Sequence, residues 1–171
     1  MSKIAVVYKS KYGTTKRYAE WIAEALDGSL FEAADMSPSQ LMEYDLVIYG
    51  GGLYASGIDG VRLVAKNPCK SLIVFTVGLA DPEITDYTEI LARSFAPSSQ
   101  VKAFHLRGGI DYGELSLIHK GMMAMVKKAA EKKPPDERTG DDRGVLETYG
   151  GKVDFTDKST ITPLVEYVHT L

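Results

Sequence analysis

Apolar and polar positions along the chain alternate between two rhythms. Lys3–Tyr8, Asp45–Tyr49 and Ser71–Val77 are short, almost unbroken aliphatic runs, with the length and β-branched content of strands buried on both faces. Gln100–Leu106 reads as another strand and Ser29–Ala34 as a weaker one. Between them the apolar positions recur at helical spacing. Tyr18, Trp21, Ile22, Ala25 and Leu26 make one face of Thr14–Leu26, with Gly28 as its stop and Trp21 as a core anchor. Val61, Val64 and Ala65 do the same in Gly60–Asn67, and Ile84, Tyr87, Ile90, Leu91 and Phe95 in Glu83–Phe95. Strand alternating with helix predicts a parallel α/β sheet covered on both sides.

Past the last of these strands the pattern changes. Glu114–Lys132 predicts a Met-rich helix with Leu115, Ile118, Met122, Met125 and Val126 on one side. Its basic end (Lys127, Lys128, Lys132, Lys133) suits the negative pole of a helix. Pro134-Pro135 stops it, Asp136–Gly144 reads as a mobile charged loop, and Val145–Thr156 as a ribbon about Gly150-Gly151. Asp157 or Ser159 then caps a last helix, with Pro163 tolerated in its first turn. With no internal repeat, residues 1–171 are expected to form one domain.

Charge and composition narrow the partners. A net charge of -3 argues against nucleic acid, whose binders carry a basic footprint. The lysine cluster reads as a solvated face, with a partner or peripheral membrane patch as the rival reading. Cys69 is the single cysteine, so no internal disulfide is expected, and just ahead of a strand it reads as a small core or boundary residue rather than a nucleophile. No Cys/His spacing suits a metal. The chain enters a strand at once, and no run has transmembrane length, so the cytoplasm is the expected compartment. His105, His119 and His169 lie in unrelated contexts, and no catalytic residue is assigned.

The candidate chemistry sits at the strand ends. Ser10-Lys11-Tyr12-Gly13-Thr14-Thr15 links the first strand to a helix N-terminus, whose first amides lack intrahelical partners and favour an anion. Gly13 permits the tight turn. The plain alternative is an ordinary connection with a Thr cap. Neither G-x-x-x-x-G-K-[ST] nor G-x-G-x-x-G is present, so a single phosphate on some other group is the expected ligand. Gly50, Gly51 and Gly52 follow the third strand, either as a flexible turn or as backbone passing close under something flat, with Tyr54 covering it. Gly78-Leu79-Ala80-Asp81-Pro82 follows the fourth. All three loops fall on the edge where parallel α/β sheets bind ligands.

With these residues in view, the chain resembles the flavodoxin family: Ser10–Thr15 is similar to its [ST]-x-T-G-x-T phosphate loop, and Tyr54 follows a Gly-rich third-strand segment. Residues 114–157 lie where long-chain members carry an insertion. That insertion and Arg107–Tyr112 look closer to the branch that includes bacterial protoporphyrinogen dehydrogenase. The resemblance implies a flavodoxin-like three-layer sandwich, its five parallel strands in the order 2-1-3-4-5 with helices on both faces. It also implies noncovalent FMN, with phosphate at Ser10, Lys11, Tyr12, Gly13, Thr14 and Thr15. The isoalloxazine would lie between Gly51, Gly52, Leu53, Tyr54 and Ala55 on one side and Thr76, Val77, Gly78 and Leu79 on the other.

Three positions depart from the family pattern. Tyr12 replaces a Thr, Ala55 stands where a Gly is common, and Leu79 stands where many members present an aromatic ring, which would leave one flavin face more open. The function implied is electron transfer to a redox partner protein. The rivals are an FMN-dependent oxidoreductase for a porphyrinogen, quinone or other small hydrophobic substrate, and a cofactor-free binding module.

Overall fold

A computed structural model describes residues 2–54 and 57–171. Five strands, β1 (Ile4–Lys9), β2 (Ser29–Glu32), β3 (Leu46–Tyr54), β5 (Leu72–Gly78) and β6 (Lys102–Arg107), lie parallel in the order β2-β1-β3-β5-β6. The sheet is six-stranded, not five-stranded: β4 (Gly57–Ile58) folds back antiparallel on the end of β3. The expected break after Tyr49 is absent because β3 runs on through the glycines. Gly50 and Gly51 are paired with β1 on one side and β5 on the other, and a ladder of backbone hydrogen bonds needs no side chains.

Alternation along the buried strands feeds two cores. Val6, Ile48, Ile73, Phe75 and Leu106 face α1 (Thr14–Leu26) and the last helix, α6 (Thr162–His169), meeting Tyr18, Ile22 and Leu164. Trp21 packs edge-on against Tyr18 there, at 5.5 Å between ring centroids. Ala5, Val7, Val47, Tyr49 and Val74 face the other way, onto Leu41, Val61, Val64 and Phe95. Here sit α2 (Arg62–Ala65) and α3 (Thr88–Ser94). The latter begins later than its apolar pattern suggested. Asp81 and Asp86 accept hydrogen bonds from the amides of Glu83 and Thr88, holding turns where a helix was expected, and Ile84 is exposed.

The segment after β6 is built on two strands and two helices, with a 3-10 turn between the helices. Strand β7 (Gly109–Asp111) pairs antiparallel with β8 (Lys152–Asp154), and between them lie α4 (Leu117–Lys132) and α5 (Gly140–Thr148). The charged stretch read as a mobile loop is in part α5, started by a reciprocal capping box between Thr139 and Asp142. Arg17 clamps β8 to α1 through Asp154 (2.9 Å) and Thr156 (2.8 Å). Helix α4 presents Leu117, Ile118 and Met125 to solvent rather than inward. Asp157 caps a short 3-10 turn leading into α6, and Asp27, in the left-handed region at φ 50°, ends α1 in place of Gly28. No described helix is long and apolar enough to cross a membrane.

Candidate functional site

A cavity of about 350 Å³ opens at the carboxyl ends of β1, β3 and β5, where strand order reverses. Of the residues expected to bind a ligand, Ser10, Lys11, Tyr12, Thr14, Thr15, Gly52, Leu53, Tyr54, Val77, Gly78 and Leu79 line it. Gly13, Gly51 and Thr76 do not, and Ala55 lies outside the described residues.

The three exceptions have local reasons. Gly13 supplies conformation: it precedes α1 at φ +98°, and a Cβ there meets nothing within 4 Å. Gly51 is packed against the β4 strand, where a Cβ would stand 2.6 Å from the Asp59 carbonyl oxygen. Thr76 is fully buried, its hydroxyl 2.6 Å from His105 Nδ1. Gly50 is likewise a packing glycine, since a Cβ there would fall on the Phe75 ring. Of the glycine run, only Gly52 reaches the cavity, beneath the ring of Tyr54.

The loop from Ser10 to Thr15 has the features of an anion cradle. Helix α1 starts without a side-chain cap and without an acidic residue in its first turn, so no carboxylate of its own neutralises the positive end. Ser10 Oγ accepts the Gly13 amide at 3.0 Å, closing the turn and leaving Thr14 to open the helix. The Lys11 ammonium stands beside this loop, 4.4 Å from the centroid of Tyr54. Burial, with Asp59 and Tyr12 nearby, pushes the Tyr54 phenol up to about 12, so the ring stays neutral across any working pH.

The rest of the wall was not foreseen. His119, Met122, Met123 and Val126 come from α4, Glu89, Ile90 and Arg93 from α3, Gly109 and Ile110 from β7, and Asp141 and Val145 from α5. The Tyr12 hydroxyl is hydrogen-bonded to His119 Nδ1, which joins the loop after β1 directly to α4. Arg107 secures the loop after β5: its Nε donates to the Leu79 carbonyl at 2.9 Å, while its guanidinium lies 3.7 Å over the Phe155 ring. The Met-rich pattern of α4 was the available signal, but sequence spacing cannot say which loops a helix will cover. Cys69 takes no part; burial pushes its thiol up.

A hydroxyl- and lysine-bearing loop at one wall and a mostly apolar remainder suit a flat ring carrying an anionic tail. A family model described as "Flavodoxin domain" matches residues 5–137. Among solved structures, the chain is similar to a flavodoxin, WrbA-like protein from Agrobacterium tumefaciens, with 26% identity and a TM-score of 0.38 over 48% of this chain and 64% of that one. It is similar to oxidised flavodoxin 2 from Bacillus cereus, with 22% identity and a TM-score of 0.43 over 62% and 86% of the two chains. A flavoprotein in complex with FMN from Lactobacillus acidophilus gives 14% identity and a TM-score of 0.41 over 63% and 93%. No curated protein sequence matches the chain.

Proposed function

We propose, from the premise that this chain belongs to the flavodoxin family, that it is an FMN-binding redox protein whose flavin lies in the cavity at the carboxyl edge of the sheet. The observation that carries this reading is the convergence of three separate strand-end segments, Ser10–Thr15, Gly52–Tyr54 and Val77–Leu79, on that one cavity. When bound, FMN supplies the electron chemistry. The chain's own residues would do the rest. Thr14, Thr15 and the uncapped start of α1 would hold the phosphate, Lys11 would neutralise part of its charge, and Tyr54 would stack on the ring. The Arg107 bond to the Leu79 carbonyl would keep the backbone after β5 in place along the cavity wall. We assign the chain to electron transfer with a redox partner protein, because a bound flavin supplies that chemistry and needs only an accessible edge and a partner surface.

A second reading, an FMN-dependent oxidoreductase of the protoporphyrinogen or quinone type, is favoured by one feature. Met122 both lines the cavity and is 45% exposed beside Leu117, Ile118 and Met125, so an apolar track leads to the site.

Titration with FMN and riboflavin tests the proposal, since the two ligands differ only in the phosphate. Wild type is expected to bind FMN far more tightly than riboflavin, and Gly13→Val to close most of that gap. Micromolar FMN leaving flavin fluorescence and thermal stability both unchanged overturns it.

A further inference from the structure

Tyr54, at the end of β3, and His119, in the first turn of α4, both line the cavity. Their rings lie 23° from parallel with centroids 6.5 Å apart. Non-bonded carbons rest about 3.5 Å apart or slightly more, so a flat ring touching both needs about 7 Å between them. The distance between centroids is the most that the gap between the two faces can be, so the pair has to part by at least about half an ångström as the ring enters. No aromatic ring is supplied by the loop after β5, where Leu79 stands.

His119 is held from two directions. Its imidazole Nδ1 is bonded to the Tyr12 hydroxyl, and the two rings meet edge-on at 5.7 Å and 76°. Its backbone amide donates to Ser116 Oγ at 3.2 Å, the cap that starts α4.

We propose that His119 is the second wall of the ring site: a flat aromatic ring lies between Tyr54 and His119, and Tyr12 latches the imidazole in place. The inference rests on the flavin reading above and deepens it. It replaces the expectation that Leu79 leaves one flavin face open, because the insertion covers what the loop does not. Lys11 swings from the Tyr54 face toward the anion at its own loop as the ring enters. With both faces taken, a second aromatic molecule cannot stack on the ring while the Tyr12–His119 bond holds, so electrons leave through the ring's edge.

The test compares wild type with His119→Ala, His119→Phe and Tyr12→Phe, using FMN and lumiflavin, the latter having the ring without the tail. Affinities and the visible absorption band of the bound flavin are read, together with the melting temperature of each flavin-free protein. His119→Ala is expected to weaken both ligands by the same factor, about two- to twelvefold, and to move the band toward that of free flavin. His119→Phe restores stacking and returns affinity to within about twofold. Tyr12→Phe gives a smaller loss in the same direction. Equal affinity and an identical band in wild type and His119→Ala overturn the inference and leave the flavin reading standing. So does a loss that His119→Phe fails to rescue, which would mark a structural role. Wild type that binds neither ligand overturns both.

Discussion

His105 shows how far one side chain's surroundings set its chemistry. Its ring stacks on Tyr87 at 3.6 Å between centroids and 7° between planes, while Nδ1 meets the Thr76 hydroxyl. Burial lowers its pKa from 6.5 to about 4, so the folded protein holds it neutral where an unfolded chain would protonate it. A depressed folded value contributes stability that is complete above the unfolded pKa and is lost as pH falls toward the folded one. Between about pH 6.5 and 4 the melting temperature should therefore fall on acidification. In His105→Phe, which keeps the stacked ring but cannot titrate, the same interval should show a flatter slope. Parallel slopes in the two proteins would dismiss His105 as the source. The ring's stacked, bonded setting also argues against a catalytic role, in keeping with its position outside the cavity.

Helix α5 makes the corresponding case for whole elements. It lies against the segment after β5 through two glycines: a Cβ on Gly140 would overlap Thr85 Oγ1, and one on Gly144 would stand 3.2 Å from the Ala80 backbone. Gly144→Val should push the helix off the Leu79–Ala80 backbone, costing about 1–3 kcal/mol. Gly121→Ala is the matched control. That glycine lies inside α4, where a Cβ meets nothing within 4 Å, so the change should add about 0.5–1 kcal/mol through helix propensity alone. Denaturant unfolding reads both, and a Gly144→Val protein as stable as wild type would mean that α5 is not seated as described.

The same helix marks the limit of what the sequence shows. The buried parallel strands were legible because both faces of each are covered, so their apolar runs need no knowledge of the partner. The start of α5 was missed: Thr139-Gly140-Asp141-Asp142 carries its cap, but the charged composition around it reads as a mobile loop. The continuation of β3 through Gly50–Tyr54 was not legible, since strands on either side impose it. Nor was the inner face of α4. Of the apolar side read there, Met122 and Val126 do reach the cavity, but tertiary contact adds His119 and Met123 and leaves Ile118 and Met125 outside.

For the molecule as a whole, the cavity is the place where segments distant in sequence meet. The loop after β1, the end of β3, the loop after β5, and helices α4 and α5 each contribute one part of its wall. Of the contacts between those parts, the Tyr12–His119 bond and the Arg107–Leu79 bond are single hydrogen bonds. A ligand that fills the cavity would add contacts to all of them at once, so its binding energy should appear as cooperative stiffening rather than as a change confined to one loop. At FMN a hundredfold above its dissociation constant, ligand linkage adds about 2.7 kcal/mol. For a chain of this size that corresponds to a rise of about 5–10 °C in melting temperature. Hydrogen exchange should slow together in Ser10–Thr15, the Leu79 loop, α4 and α5. The β1, β3 and β5 amides in the centre of the sheet, which open only on global unfolding, should slow by no more than the rise in overall stability. Slowing limited to the loop after β1, with α4 and α5 exchanging as before, would mean that the insertion is not part of the site.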